Sequence, residues 1–133
     1  MTKENSSGVN ATHDTSIFGT NVYPFFVNVD KNNFTLNYNI SGNNKLLDAK
    51  MDSRSESLIL SLESTSNGTL VVSIPRPLLN SKTNANQDDQ FIVLEDGQEV
   101  DYKQINSTIM VRTLSIQFTN HTSSIEIIAT QIV

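Results

Sequence analysis

The sequence predicts an all-β protein: an antiparallel β-sandwich, Ig-like or jelly-roll-like, with about eight or nine short strands. Three observations lead to this fold class. The β-branched residues Ile, Val and Thr number 35 among 133 residues, whereas Ala, the best helix former, occurs four times. Apolar and polar residues alternate in several segments, as they do in half-buried strands. Turn signals separate these segments at spacings of about 10 residues.

The individual strands follow from this alternation and from the turn residues. Strands are predicted at 22–29, 34–41, 45–51, 58–63, 70–74, 91–94, 100–102, 109–118 and 125–129. Pro24 cannot donate a ladder hydrogen bond, so the first strand is expected at a sheet edge. Asn67-Gly68 predicts a type I′ hairpin turn between the fourth and fifth strands, and Asp96-Gly97 predicts another between the sixth and seventh. The polar connection 78–90 has room for a short helical turn.

The chain is predicted to form one domain preceded by a tail. Residues 1–20 are polar and rich in small side chains, so they are interpreted as a flexible N-terminal tail or linker. Residues 21–133 are assigned to a single β-sandwich domain, because no repeat or shift in composition divides them.

Composition excludes several classes of function. The absence of Cys rules out disulfides, a thiolate nucleophile and cysteine-ligated metal sites. A formal charge of −5, without a basic stripe, disfavours nucleic acid as a partner. No apolar run is long enough to span a membrane. Asn, Ser and Thr supply 45 of the 133 residues, so amides and hydroxyls carry most of the polarity.

Sequons for N-linked glycosylation are the strongest motif signal. The pattern Asn-x-Ser/Thr occurs about twice as often as random placement would give. It begins at Asn5, Asn10, Asn33, Asn39, Asn67, Asn106 and Asn120. Several of these positions fall at predicted turns, in the tail or on the polar face of a strand, where a bulky glycan has room. The alternative interpretation is a surface that is merely rich in Asn.

Two groups of acidic residues are weak candidates for calcium, which prefers several oxygen ligands. The residues concerned are Asp88, Asp89, Asp96, Glu99 and Asp101. They match no EF-hand pattern, and solvated carboxylates in turns explain them equally well. A site shared between the two loops is conceivable, but no metal or other cofactor is predicted.

Catalytic motifs are absent, and the chain is predicted not to be an enzyme. His13 falls in the tail and His121 in a predicted turn, so neither is placed as a buried general base. No nucleophile elbow or phosphate-binding Gly-rich loop is present. A pair of carboxylates of the glycosidase type has no sequence signature. It could be drawn from Asp48, Asp52, Glu56 and Glu63.

Aromatic residues in the predicted strands have two interpretations. They are expected to pack in the core, as aromatic residues at alternating strand positions usually do. A carbohydrate-binding surface would instead need several of them on one exposed face. The residues concerned are Tyr23, Phe25, Phe26, Tyr38 and Tyr102.

From Phe34 to Val133 the chain resembles a β-sandwich domain of secreted and cell-surface proteins of ammonia-oxidising archaea (Thaumarchaeota). The resemblance rests on four segments that occur in order with similar spacing: 70–79 (LVVSIPRPLL), 91–102 (FIVLEDGQEVDY), 112–116 (RTLSI) and 125–133 (IEIIATQIV). In those proteins the domain often precedes a Pro-Glu-Phe-Gly sorting signal. The resemblance implies export, surface display through a cleaved C-terminal signal and dense N-glycosylation, and it implies no catalytic residues.

These observations together predict an extracellular or cell-surface location and a non-catalytic structural or adhesion role in an archaeal envelope. Other envelope proteins or extracellular glycans are the expected partners. Two alternatives remain open. One is a carbohydrate-binding module, with or without calcium. The other is a homo-oligomer or filament subunit whose N-terminal tail adds a strand to a neighbouring sheet.

Overall fold

The structure is a computed structural model that describes residues 21–83 and 87–130. The described residues form ten strands: β1 Tyr23–Val29, β2 Asn32–Ile40, β3 Lys45–Asp52, β4 Ser57–Glu63, β5 Gly68–Pro75, β6 Phe91–Glu95, β7 Gln98–Val100, β8 Lys103–Ser107, β9 Val111–Phe118 and β10 Ser124–Ala129. The predicted tail, residues 1–20, lies outside the described part of the chain.

The ten strands form two antiparallel sheets of five strands each. Sheet A has the order β1-β2-β5-β9-β8, and sheet B has the order β3-β4-β10-β6-β7. The predicted all-β sandwich is therefore confirmed. The strand count exceeds the expected eight or nine because residues 103–107 form a strand of their own, where no strand was predicted. The last two predicted strands are confirmed, although β9 begins at Val111 rather than Ile109.

A single hydrophobic core lies between the sheets and is built from alternate residues of their strands. Sheet A contributes Leu70, Val72 and Ile74 from β5 and Leu114, Ile116 and Phe118 from β9. Sheet B contributes Leu58, Leu60 and Leu62 from β4 and Ile125 and Ile127 from β10. Full burial of one Leu or Ile side chain contributes about 1.5–3 kcal/mol, so these strands hold the two layers together.

The hairpin predicted at Asn67-Gly68 is wrong. β4 and β5 lie in different sheets, so the chain crosses from one layer to the other between them. A two-residue turn at these positions would set Ser66 opposite Thr69 and therefore Leu62 opposite Ser73. The apolar residues of the two strands would then lie on opposite faces, and a common core would be lost. The buried side chain of Asn44 directs the crossing instead, because its Oδ1 accepts hydrogen bonds from the backbone N–H groups of Thr65 (2.8 Å) and Ser66 (3.2 Å).

The hairpin predicted at Asp96-Gly97 is confirmed. Both residues have positive φ, 48° and 88°, as a type I′ turn requires. Glu95 pairs with Gln98 across the turn. The Asp96 carboxylate also accepts hydrogen bonds from the backbone N–H groups of Ser123 (3.1 Å) and Ser124 (2.9 Å), which tie the turn to the start of β10. Asp96, one of the five calcium candidates, therefore uses its carboxylate to anchor this turn.

The connection after β5 begins with the helical turn for which the sequence left room. The backbone N–H groups of Leu78 and Leu79 donate to the carbonyl of Pro75 at 3.0 and 3.2 Å, and both leucine side chains are buried. Farther along, Lys82 and Asp88 form an isolated antiparallel bridge. These contacts hold the connection against the core and place its end beside the first residues of β6.

We expect Gly68→Ala to destabilise the fold although Gly68 has no positive φ. A Cβ atom at this position would lie 2.7 Å from both Asn44 Nδ2 and Phe118 Cζ, so the substitution overpacks the crossing between the sheets. Such crowding costs about 1–3 kcal/mol in free energy of unfolding, which urea denaturation would measure. Gly97→Asn is the comparison without crowding, because a Cβ there meets nothing within 4 Å and any cost comes from the positive φ of 88° alone. An unchanged urea midpoint for Gly68→Ala would contradict the close approach.

Candidate functional site

A polar cleft opens where the chain crosses from the edge strand of sheet B to the edge strand of sheet A. Its volume is about 470 Å³. The walls come from the end of the long connection, from β7 and the residues after it, and from the first residues of β8 and β9. The lining residues are Asp88, Asp89, Gln90, Phe91, Glu99, Val100, Asp101, Tyr102, Gln104 and Arg112. Most of these side chains are charged or carry an amide.

Arg112 forms the base of this cleft. Its position on β9 has the same parity as Leu114 and Ile116, so the side chain faces inward, and only 2% of the residue is exposed. The guanidinium lies 4.2 Å from the centre of the Phe91 ring, within the range of a cation–π contact. Burial lowers the pKa of Arg112, but an arginine remains protonated at any physiological pH.

The guanidinium of Arg112 is held by neutral oxygen acceptors from three parts of the chain. Nε donates to Oε1 of Gln104 at 2.8 Å. One terminal nitrogen donates to Oδ1 of Asn80 (3.2 Å) and the carbonyl of Ser81 (3.0 Å), and the other donates to the carbonyl of Asp89 at 2.6 Å. Since carbonyls of the long connection are among these acceptors, Arg112 fixes that connection against sheet A.

Arg76 and Asp88 form a partly exposed ion pair beside the cleft. Their two hydrogen bonds are 2.7 and 2.9 Å long and parallel, the bidentate geometry that favours Arg over Lys. The hydrogen bond from Arg76 is the main reason that the pKa of Asp88 falls to about 2. Arg76 also donates from Nε to the carbonyl of Thr108 (2.7 Å) and from a terminal nitrogen to Asn80 Oδ1 (3.2 Å). Asn80 therefore links the two arginines.

The opposite wall of the cleft is anchored by Tyr102. Its Oη accepts a hydrogen bond of 2.8 Å from the backbone N–H of Phe91, and its ring packs against the core. The phenol is thus fixed at the point where the chain leaves β7, and the proton of its hydroxyl group remains a donor.

A second hollow lies at the end of the sandwich between the start of β5 and the end of β9. Its volume is about 680 Å³, and it is lined mainly by hydroxyl and amide side chains together with Glu95. Burial, and then the nearby Asp96, raise the pKa of Glu95. Within residues 21–83 and 87–130, Oε2 of Glu95 is a shielded atom that has no hydrogen-bond partner.

The structure brings four of the five calcium candidates to the first cleft. Asp88, Asp89, Glu99 and Asp101 line it, whereas Asp96 lies at the β6–β7 turn. Both oxygens of Asp88 are already bonded to Arg76. Among the described residues, no three His, Asp or Glu side chains are grouped so that they could share a metal ion.

Five of the seven sequon asparagines fall in the described part of the chain. Asn33, Asn67 and Asn120 are exposed, and Asn39 and Asn106 are half-buried. Asn5 and Asn10 lie outside the described residues. The backbone N–H of Asn120 donates to Oδ1 of Asn67 at 2.7 Å, so two of these sites lie side by side at one end of the sandwich.

The aromatic residues do not form a flat row on one face. The rings of Phe25 and Tyr38 face the core and contact each other edge to face, and Tyr102 packs against the core at the cleft. The expected core position is wrong for Phe26, which faces the other side of β1 and is 69% exposed, and Tyr23 is also exposed. The described aromatic residues therefore provide no planar stacking platform.

The residues weighed for catalysis are scattered at the surface. His121 lies in an exposed turn with a φ of 73°, and His13 is outside the described residues. The four carboxylates weighed as a glycosidase pair are all exposed, on β3, on the turn after it and at the end of β4: Asp48, Asp52, Glu56 and Glu63.

Arg112 and Arg76 were not predicted as parts of a site. A signal for Arg112 was present in the sequence, because it continues the inward-facing parity of Leu114, Ile116 and Phe118 on β9. A charged residue at a core parity is rarely buried without partners. Its acceptors lie up to 32 residues away, so the contacts that form the cleft have no local pattern.

A comparison of the chain with protein-family models, curated proteins and solved structures found no match. Within the described ranges, no helix is long and apolar enough to cross a membrane.

Removal of the Arg112 side chain should be strongly destabilising. Arg112→Ala leaves the buried carbonyl of Ser81 and the amide oxygens of Gln104 and Asn80 without this donor, and it opens a void against Phe91. We expect a loss of at least about 3 kcal/mol in unfolding free energy, measured by urea denaturation. Arg112→Lys should recover part of the loss, because an ammonium group cannot reproduce the fork of donors. A loss below about 1 kcal/mol for Arg112→Ala would contradict the role of this network.

The contact between Arg76 and Asp88 should make stability depend on pH in the acidic range. Because the pKa of Asp88 is lowered to about 2 in the folded state, its stabilising effect is complete above the unfolded pKa and is lost as pH falls through about 2. Both side chains are partly exposed, so the effect is expected to stay below about 1 kcal/mol. Thermal denaturation of the wild type and Asp88→Asn at pH 7 and pH 2 tests this. The two proteins should differ at pH 7 and converge at pH 2, and equal stability at pH 7 would contradict the prediction.

Proposed function

We propose that this chain is a non-catalytic structural or adhesion module of an exported, cell-surface protein and that it carries N-linked glycans. The observation that carries the proposal is the position of the sequons: none of the five described sequon asparagines is buried in the core. A glycan is bulky and hydrated, so it requires sites of this kind. The resemblance to archaeal surface domains adds the expectation that the envelope concerned is archaeal.

The surface chemistry supports this role. The outward positions of β2 are occupied by Asn33, Thr35, Asn37 and Asn39. Neutral polar groups at these positions keep the sheet hydrated without dense charge, which suits a surface that is covered by sugars.

Among the described strands, those at the edges of the two sheets favour a module that does not polymerise by strand addition. β1 carries Pro24, and β7 is three residues long. β3 and β8 contain irregular registers at Leu46/Asp48 and opposite Thr113/Leu114. These are the features by which natural sheets block pairing with a further strand. The filament alternative therefore has less support than display of single modules.

An adhesive role is supported by the tip of the β8–β9 hairpin. Ile109 is 91% exposed and Met110 is 68% exposed. The tip is nevertheless well ordered, since Thr108 Oγ1 accepts hydrogen bonds from the backbone N–H groups of Met110 (3.1 Å) and Val111 (3.0 Å), and Arg76 binds the Thr108 carbonyl. A rigid apolar tip can contact another envelope protein without a large ordering cost.

Mass spectrometry of the protein recovered from the surface of cells that produce it tests the proposal. We expect sugar masses on peptides that contain the exposed sequons Asn33, Asn67 and Asn120. Asn43 serves as an internal control, since it is exposed but does not begin a sequon. Asn120→Gln should remove the mass at that peptide alone.

Two results would contradict the proposal. One is recovery of the protein inside the cells only, and the other is unmodified asparagine at every sequon of the surface-exposed protein.

A further inference from the structure

We propose that the cleft at Arg112 binds an uncharged sugar through hydrogen bonds, without the aromatic stacking platform that a flat carbohydrate-binding surface would use. The inference is independent of the proposed glycosylation, because it concerns the lining of the cleft and not the sequons. A volume of about 470 Å³ lies within the range of about 300–1,000 Å³ that is usual for small-molecule sites. The polar character of the lining favours a ligand with many hydrogen-bonding groups over an apolar one.

Two residues that line the cleft offer hydrogen-bond donors whose positions are fixed by contacts within the protein. The bond from Arg112 Nε to Gln104 Oε1 orients the exposed Gln104 amide, so its Nε2 donors are directed away from the guanidinium. Across the cleft, the bond from the Phe91 N–H to Tyr102 Oη fixes the phenol and leaves its hydroxyl proton as a donor. Arg112 thus acts as a positioning residue for a donor that a ligand can reach.

Acceptors come from Asp89, Glu99 and Asp101, which are acidic residues that line the same cleft. An ionised carboxylate only accepts hydrogen bonds, whereas an amide and a phenol also donate. A sugar hydroxyl both donates and accepts, so it can use both kinds of group at once. A cleft that combines donors and acceptors therefore suits a polyhydroxylated ring better than a ligand that can only donate or only accept hydrogen bonds.

The charges of the cleft disfavour both anionic and cationic ligands. Three carboxylates repel a phosphate or an acidic sugar, since like charges in a partly enclosed site are unfavourable. A cation would be attracted by the carboxylates, but it could not accept hydrogen bonds from the donors. It would also be repelled by the positive charge of Arg112. The absence of a metal-like grouping among the described side chains also separates this cleft from a calcium site.

The cleft is organised before any ligand binds. Arg112 has four hydrogen bonds and a ring contact, and Tyr102 is bonded to the backbone of the neighbouring strand. A site that is already ordered loses little conformational entropy on binding, which matters for a weak ligand such as a single sugar. We expect dissociation constants for monosaccharides in the millimolar range, equivalent to about −4 kcal/mol or weaker.

NMR titration of the full 133-residue chain tests the proposal. The probes are glucose, galactose, mannose and N-acetylglucosamine, each raised to tens of millimolar, with glucuronate and spermidine as charged comparisons. At least one neutral sugar should shift the amide signals of Phe91, Gln104 and Arg112 in a saturable manner. Glucuronate and spermidine should leave these signals unshifted or should bind at least tenfold more weakly.

Two variants and a matched control separate binding from folding. Gln104→Ala and Asp101→Ala remove an exposed donor and an exposed acceptor, and each should weaken the sugar at least tenfold while the thermal midpoint shows that the fold persists. Gln117→Ala is the control, because Gln117 is also an exposed amide on sheet A but lies outside this cleft. It should leave the affinity unchanged.

The proposal is overturned if none of the four sugars shifts the cleft signals. It is also overturned if glucuronate or spermidine binds as well as the neutral sugars, or if both folded cleft variants bind like the wild type.

Discussion

Burial of alternate side chains between the two sheets is the constraint on which the rest of this structure depends. Each central strand gives its even-numbered or odd-numbered residues to one shared core, and the residues on its other face are mostly half-buried. A shift of one residue would exchange the two faces, so the core fixes the register of every pair of strands. The crossing after β4 obeys this rule, because pairing β4 with β5 through a two-residue turn would place Leu62 opposite Ser73.

Among the described residues that are buried, Arg112 is the only charged one, and its contacts explain how the structure accommodates it. At Arg112 the inward face of β9 meets the long connection together with Phe91, the first residue of β6 in sheet B. Carbonyl groups of that connection need donors, and the guanidinium supplies them to Ser81 and Asp89. The desolvation cost of the charge is offset by these bonds and by the Phe91 ring. One inward arginine thus joins β8, the long connection and the start of β6, and it forms the base of the cleft.

The sequence predicts the layers of this fold better than their connections. Alternation is local, so most of the strands and the Asp96-Gly97 turn could be identified from neighbouring residues, whereas β8 was missed and the strand predicted at 100–102 lies at Gln98–Val100. Whether Asn67-Gly68 forms a hairpin turn depends on Asn44, which lies more than twenty positions earlier. Its buried amide oxygen accepts hydrogen bonds from the backbone where the chain crosses between the sheets. The cleft also depends on contacts between distant residues, since the hydrogen-bond acceptors of Arg112 lie 8 to 32 positions away from it. The sequence could have shown that Arg112 faces inward, but it could not have shown which residues accept its hydrogen bonds.

A β-bulge in β8 places the sequon at Asn106 and the cleft at Arg112 on different faces of sheet A. Gln104 pairs with Leu114, whereas Asn106 pairs with Thr113, although both Gln104 and Asn106 are even-numbered residues of β8. The extra residue, Ile105, changes the face that the strand presents, so Gln104 lies on the core side with Arg112 and Asn106 lies on the outer face with Thr113. A glycan on Asn106 would therefore extend from the outer face of sheet A and leave the cleft accessible. Without the bulge, the sequon would share the face of the cleft, and a glycan at that site would obstruct it.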